Sequence, residues 1–247
     1  FEQAGLIERA LRYYVRADDN ATTLYLYEDA RTHYGSAKGL LKQLPQTPEL
    51  QRLHIDLLLK QVHAGLINDA SQTQFRRLAE ARALLESLTT AGAAVESDRL
   101  RMARVDYYYG RVYHYGGQPR DALVYYQRVL PVAREFADQE LLVMPSYAIG
   151  GAQLLKGHFG TAQAMLEQAI EPMLRHQGPS IETLRCLLYH CVTLAATGHG
   201  QQALDGLARA QQWADRSDQQ SYKANFLLIY ATACLILGDW PKTLQVA

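Results

Sequence analysis

Few residues in this chain invite chemistry, and each shortage excludes something. Only three cysteines occur in 247 residues, Cys186, Cys191 and Cys234, and none stands at metal-ligand spacing from another. Each lies among apolar residues in a helical pattern, which suits reduced, buried thiols and a cytoplasmic setting. No sign of charge dominates, because 25 Lys and Arg balance 25 Asp and Glu. Electrostatic attraction to a polyanion is therefore not expected, and RNA reading by helical repeats is a weaker rival on this neutral balance. No run of eighteen apolar residues crosses a membrane and no leader pattern precedes the first helix.

Catalytic signatures are missing as well. The stretch "SAKGLL" at 36–41 has neither the order nor the spacing of a phosphate-binding G-x-x-x-x-G-K-S/T loop. No G-x-S-x-G elbow appears. Among the eight histidines, His190 is adjacent to Cys191, so the two diverge by about 100 degrees on a helix. The other histidine pairs lack i, i+4 spacing with a carboxylate. Asp18, Asp19, Glu8 and Glu28 fit solvated helix faces. No catalytic residue, metal site or cofactor is expected. The chain starts at Phe1 without a methionine, and the expectation is a piece of a longer protein.

What the chain does have is 48% AVILMFWYC, ample for a core, and a repeat. Gly117, Gly157, Gly198 and Gly238 are 40, 41 and 40 residues apart. Seven residues before them stand Gly110, Gly150, Cys191 and Ala231; five after stand Ala122, Ala162, Ala203 and Thr243; nine after stand Tyr126, Leu166, Leu207 and Ala247. Twelve after the first three come Val129, Ala169 and Ala210. A glycine can take the left-handed conformation that ends one helix, and the next helix begins two or three residues on. Pro119 and Pro241 fall in the first turn of that second helix, where a missing N–H costs little.

The pattern predicts a single all-α domain, a right-handed superhelical solenoid of about six antiparallel hairpins. They fall at roughly 5–45, 48–90, 97–135, 138–176, 179–217 and 220–247. In the second hairpin the spacing predicts a helix from 46 to about 67, a loop at 66–74 and a helix from Phe75 to Leu88, with a further loop at 89–97. One hairpin cannot bury its apolar face alone, and stacked hairpins can. No Pro-, Gly- or Ser-rich linker divides the chain.

The small residue, glycine turn, alanine and aromatic columns of residues 103–133 resemble the tetratricopeptide repeat. The period near forty is similar to its longer-helix variant in signalling ATPases. "EQAGLIERALRYYVRADDNA" followed by "AKGLLKQLPQTPELQRLHIDLLL" resembles the segment downstream of the nucleotide-binding core in bacterial STAND-type regulators. That resemblance covers about the first sixty residues. It implies a sensor or scaffold arm, with any enzyme elsewhere in the parent protein.

In this repeat family the side of the first helix away from its hairpin mate resembles the lining of a concave groove for peptides. Here it carries Arg104, Tyr107, Arg111, His114 and Tyr115, then Tyr147, Gly151, Leu154 and Leu155, then Leu188, Val192, Ala195 and Ala196, then Leu228, Thr232, Leu235 and Ile236. Tyr109, Tyr113 and Tyr126 fall instead in the packing columns. The expected groove is aromatic and cationic at one end and apolar at the other. Either an amphipathic partner helix lies in it, or the inner face packs on itself. Arg104 and Arg111 either clamp a carboxylate of the ligand or are ordinary surface arginines. The preferred function is a non-enzymatic module binding a peptide or protein partner, or another domain of the same chain. Small-molecule sensing and homo-oligomeric self-association are the alternatives.

Overall fold

The structure, a computed structural model, describes residues 47–66, 69–177, 180–216 and 220–238. The first hairpin expected at 5–45, the N-terminal part of the STAND-like segment, and the final helix expected after Gly238 lie outside these residues. Among the described residues there are nine helices and no strand. They are α1 (Pro48–Ala64), α2 (Ser71–Thr90), α3 (Glu96–Tyr115), α4 (Pro119–Glu135), α5 (Gln139–Leu155), α6 (Phe159–Gln177), α7 (Ile181–Ala196), α8 (Gly200–Arg216) and α9 (Gln220–Ile236). The fold is an all-α helical repeat.

The glycine anchors end helices as their spacing predicts. Gly117, Gly157, Gly198 and Gly238 have φ of 73°, 77°, 85° and 77°, a region open to glycine and costly for other residues. After α3, the Gln118 N–H reaches the Tyr113 carbonyl at 2.9 Å and the Gly117 N–H reaches that of His114 at 3.2 Å. The same pair of bonds closes α5 through His158 and Gly157 and α7 through His199 and Gly198. Each is a Schellman turn, which uses up carbonyls that the helix end leaves without partners. The starts are equally local. Thr47, Asp138 and Ser180 accept the N–H of Leu50, Leu141 and Thr183, and Pro48 and Pro119 open α1 and α4.

Two boundaries differ from the spacing. α1 ends at Ala64, capped by Gly65, and α2 begins at Ser71, inside the expected loop. Gln74 explains the early start: it is buried and its side-chain amide donates to the Val62 carbonyl at 3.3 Å, tying the first turn of α2 to the last of α1. Polar composition suggests a loop there, but a buried hydrogen bond overrides it.

The chain divides into two compact units, with the boundary between Phe136 and Ala137. In the first, α1 packs on α2, α2 on α3, α3 on α4, and α1 also on α3. In the second, α5 pairs with α6 and α7 with α8, while α6 and α9 pack on α7. In the α3–α4 and α5–α6 hairpins the seam is a small residue opposite a large one. A Cβ added at Gly110 would lie 2.5 Å from the Tyr126 ring, and one at Gly150 would lie 2.8 Å from Leu166 Cγ. In the next hairpin the arrangement is exchanged: Cys191 occupies the small position of α7, and Gly206 of α8 leaves room for its sulfur, 2.5 Å from where a Cβ would be.

Ala137 carries a φ of 50°, the task glycine performs in the other turns. A left-handed alanine costs about 1 kcal/mol or more. Ala137→Gly should raise stability by about 0.5 kcal/mol after the extra chain entropy of glycine is charged against it. A urea midpoint that falls would show that this turn is not strained.

Candidate binding face on the first helices

α3 presents Tyr107, Arg111 and Tyr115 at i, i+4 and i+8, so the three stand on one face. The Arg111 guanidinium donates from Nη1 to the Tyr107 hydroxyl at 2.8 Å and from Nη2 to the Tyr115 hydroxyl at 3.0 Å. Its Cζ also lies 5.7 Å and 5.2 Å from the centroids of the same two rings. The cation is held by two neutral hydroxyls and two ring faces. Tyr107 is buried, edge-on to Tyr108 at 5.2 Å, whereas Tyr115 is 39% exposed. His114 is half-buried and meets Tyr115 edge-on at 6.0 Å, and Arg104 is half-buried two turns earlier. Beside Tyr115, a cavity of about 190 Å³ is lined by Leu66, Asp69, Gln74, Val112 and Gly116, among others.

The opposite flank of α3 is a feature that repeat columns do not reveal. Phe75 of α2, Tyr109 and Tyr113 of α3 and Tyr125 of α4 form a ladder: Tyr109 stacks on Tyr125 at 4.9 Å, Tyr113 on Tyr125 at 5.6 Å, and Phe75 lies 4.8 Å from Tyr113. Arg82 covers the Tyr109 ring at 4.9 Å and bonds Asp106, and Arg128 covers Tyr125 at 5.3 Å. Burial holds the Asp106 carboxyl above the usual range despite the Arg82 and Arg128 charges and the Arg82 hydrogen bond. The signal was Tyr109 and Tyr113 at i, i+4; the contribution of Phe75 had none. These rings fill one another's faces, so the ladder is packing.

In the second unit the expected face divides. Tyr147, Leu188 and Val192 are buried. Tyr147 stacks on Tyr189 at 6.1 Å, and burial pushes its hydroxyl pKa well up. The reason is that first helices of successive hairpins pack against one another, α5 on α7 and α7 on α9. Leu154 is half-buried, while Leu155 is 87% and Leu228 71% exposed. Thr232 is exposed and its hydroxyl bonds back to the Leu228 carbonyl at 3.0 Å. Self-packing thus accounts for the middle of the stripe, and open apolar side chains remain at Leu155 and Leu228.

Among the described residues, no group of three His, Cys, Asp or Glu could hold a metal ion, and no helix is long and apolar enough to cross a membrane.

No protein-family model matches the chain, and no curated protein sequence matches it. Solved structures do. The apo form of RapI aligns with a TM-score of 0.59 at 14% identity, over 99% of this chain and 67% of that one. A Rap protein complexed with Competence and Sporulation Factor aligns with a TM-score of 0.57 at 15% identity, over 96% of this chain and 62% of the other. BtubC from P. vanneervenii aligns with a TM-score of 0.51 at 12% identity, over 98% of this chain and 88% of that one. The chain thus spans about two thirds of the length of the two Rap chains. At these identities the likeness is one of fold, and the fold is a TPR-like helical repeat.

Proposed function

We propose that this chain is a non-enzymatic interaction module that binds a peptide or partner helix along the first helices of its hairpins. Its place is the regulatory arm of a signalling ATPase or transcriptional regulator. The observation that carries the reading is the Tyr107, Arg111 and Tyr115 comb on α3, where a cation is held in place by hydroxyls and rings instead of a carboxylate. Exposed Leu155 and Leu228 add apolar anchor points in the second unit. The Rap protein of like fold that was solved with Competence and Sporulation Factor supports a ligand-binding use of such helices. Small-molecule sensing is the alternative; the cavity beside Tyr115, at about 190 Å³, is by itself smaller than the roughly 300–1,000 Å³ of ordinary ligand pockets.

The test is selection of twelve-residue peptides from a random display library. Selected peptides should bind the parent chain and lose at least tenfold in affinity to Tyr115→Ala or to Leu155→Lys, each an exposed position whose change leaves the circular dichroism spectrum intact. If neither variant weakens any selected peptide, the first-helix faces are not the binding surface.

A further inference from the structure

Four half-buried arginines in the first unit have aspartate partners. Arg52 bonds Asp98, Arg77 bonds Asp69, Arg82 bonds Asp106, and Arg101 bonds Asp56. Arg111 differs from these four. Its two bonds go to tyrosine hydroxyls, and no carboxylate among the described residues bonds it. Its Nε is shielded from solvent and meets no acceptor. Each terminal nitrogen keeps a second N–H, since a guanidinium has five and only two are used. The neighbouring carboxylates are committed elsewhere: Asp106 to Arg82 on the opposite flank, and Asp69, beside Tyr115 in the cavity wall, to Arg77.

A guanidinium held this way is poorly matched in the unbound chain. Ring faces and neutral hydroxyls give it direction and some cation–π attraction, but not the charge-assisted bond that such a group makes best. The two tyrosines restrict its rotamers, so less entropy is lost when an anion arrives. Lysine in the same slot would lack both the planar fork and the paired donors.

We propose that Arg111 is an anion anchor that accepts the carboxylate of an acidic side chain from the bound polypeptide, oriented by Tyr107 and Tyr115. This deepens the interaction-module reading and rests on it. A carboxylate fits better than a phosphate, because phosphate sites gather several arginines and here a single guanidinium stands between two aromatic rings.

The experiment uses oriented twelve-residue peptide pools, degenerate except at one central position fixed as Glu, Gln or Lys, bound to the parent chain, to Arg111→Gln and to Arg111→Lys at low salt. The parent should retain the Glu pool at least tenfold better than the Gln pool. Arg111→Gln should abolish that preference while still binding apolar pools, and Arg111→Lys should keep only part of it. If Arg111→Gln does not fold, the Arg111→Lys variant, which keeps the charge, carries the comparison. Equal retention of Glu and Gln pools by the parent overturns the anchor and leaves the interaction module standing. Retention of no pool at all overturns both. A Glu preference that survives in Arg111→Gln assigns the anion to another residue and also overturns the anchor.

Discussion

Replacing Asp98 with alanine should destabilise the first unit by about 3 kcal/mol, the cost of leaving the half-buried Arg52 without its counter-ion. Asp98 is 7% exposed and receives Arg52 Nε at 3.0 Å and Arg52 Nη2 at 3.0 Å, with Arg101 Nη1 at 3.2 Å. It also accepts the Val95 N–H at 3.0 Å, which caps the start of α3. One carboxylate thus joins α1 to α3 and closes a helix end. Alanine removes all of these bonds, and a drop in melting temperature of roughly 10 °C is expected for a unit of this size. Burial alone would raise the Asp98 pKa, but the Arg52 hydrogen bond, the Val95 N–H and the Arg52 and Arg101 charges outweigh it and hold the carboxyl below the usual range. The sign follows from linkage. A depressed carboxyl contributes stability that is complete above the unfolded value, about 3.9, and is lost as pH falls through the lower, folded value. The parent should therefore weaken in acid more steeply than Asp98→Ala, and the two curves should converge at low pH. A variant that loses less than about 1 kcal/mol, or whose acid limb parallels the parent's, would remove Asp98 from this account.

Gly110→Ala is expected to cost about 2 kcal/mol, an overpacking penalty, although alanine is the better helix former by roughly 1 kcal/mol. The added Cβ would meet Tyr126 Cε1 at 2.5 Å and Cδ1 at 2.7 Å. Tyr126 is wholly buried, and a ring has no flexible end to swing aside. Gly160→Ala is the control, since a Cβ there meets nothing within 4 Å and should be neutral or stabilising. The companion change Tyr126→Leu should relieve the crowding, so Gly110→Ala should cost less in that background than alone. Additive losses in this double-mutant cycle would show that the two residues are not in contact.

The hairpin architecture was legible because its signals are local. A left-handed glycine, a proline at the first helical turn and a small residue opposite a large one each act within a few residues, and their recurrence near forty positions multiplies the signal. The face was only partly legible. Periodicity placed Tyr107, Arg111 and Tyr115 on one side of α3, but it cannot say which of a helix's two neighbours covers that side. Hence Tyr147, Leu188 and Val192 share a stripe with Leu155 and Leu228 yet are buried between first helices. The Asp98 and Arg52 pair is 46 residues apart in the chain, and nothing in either local stretch announces it. Phe75 in the aromatic ladder was equally silent, because its partners Tyr109 and Tyr113 come from the next hairpin.

The three cysteines of the described core, Cys186, Cys191 and Cys234, are all buried thiols outside any disulfide, and all lie in the second unit. Burial pushes the Cys186 and Cys191 thiols up to about 12, so almost none is present as the reactive thiolate while the helices stay closed. A colourless disulfide reagent such as dithionitrobenzoate would then turn yellow only when α7 or α9 opens, and the rate of colour release reports that opening directly. The second unit thus carries its own readout of breathing, with no label to be engineered.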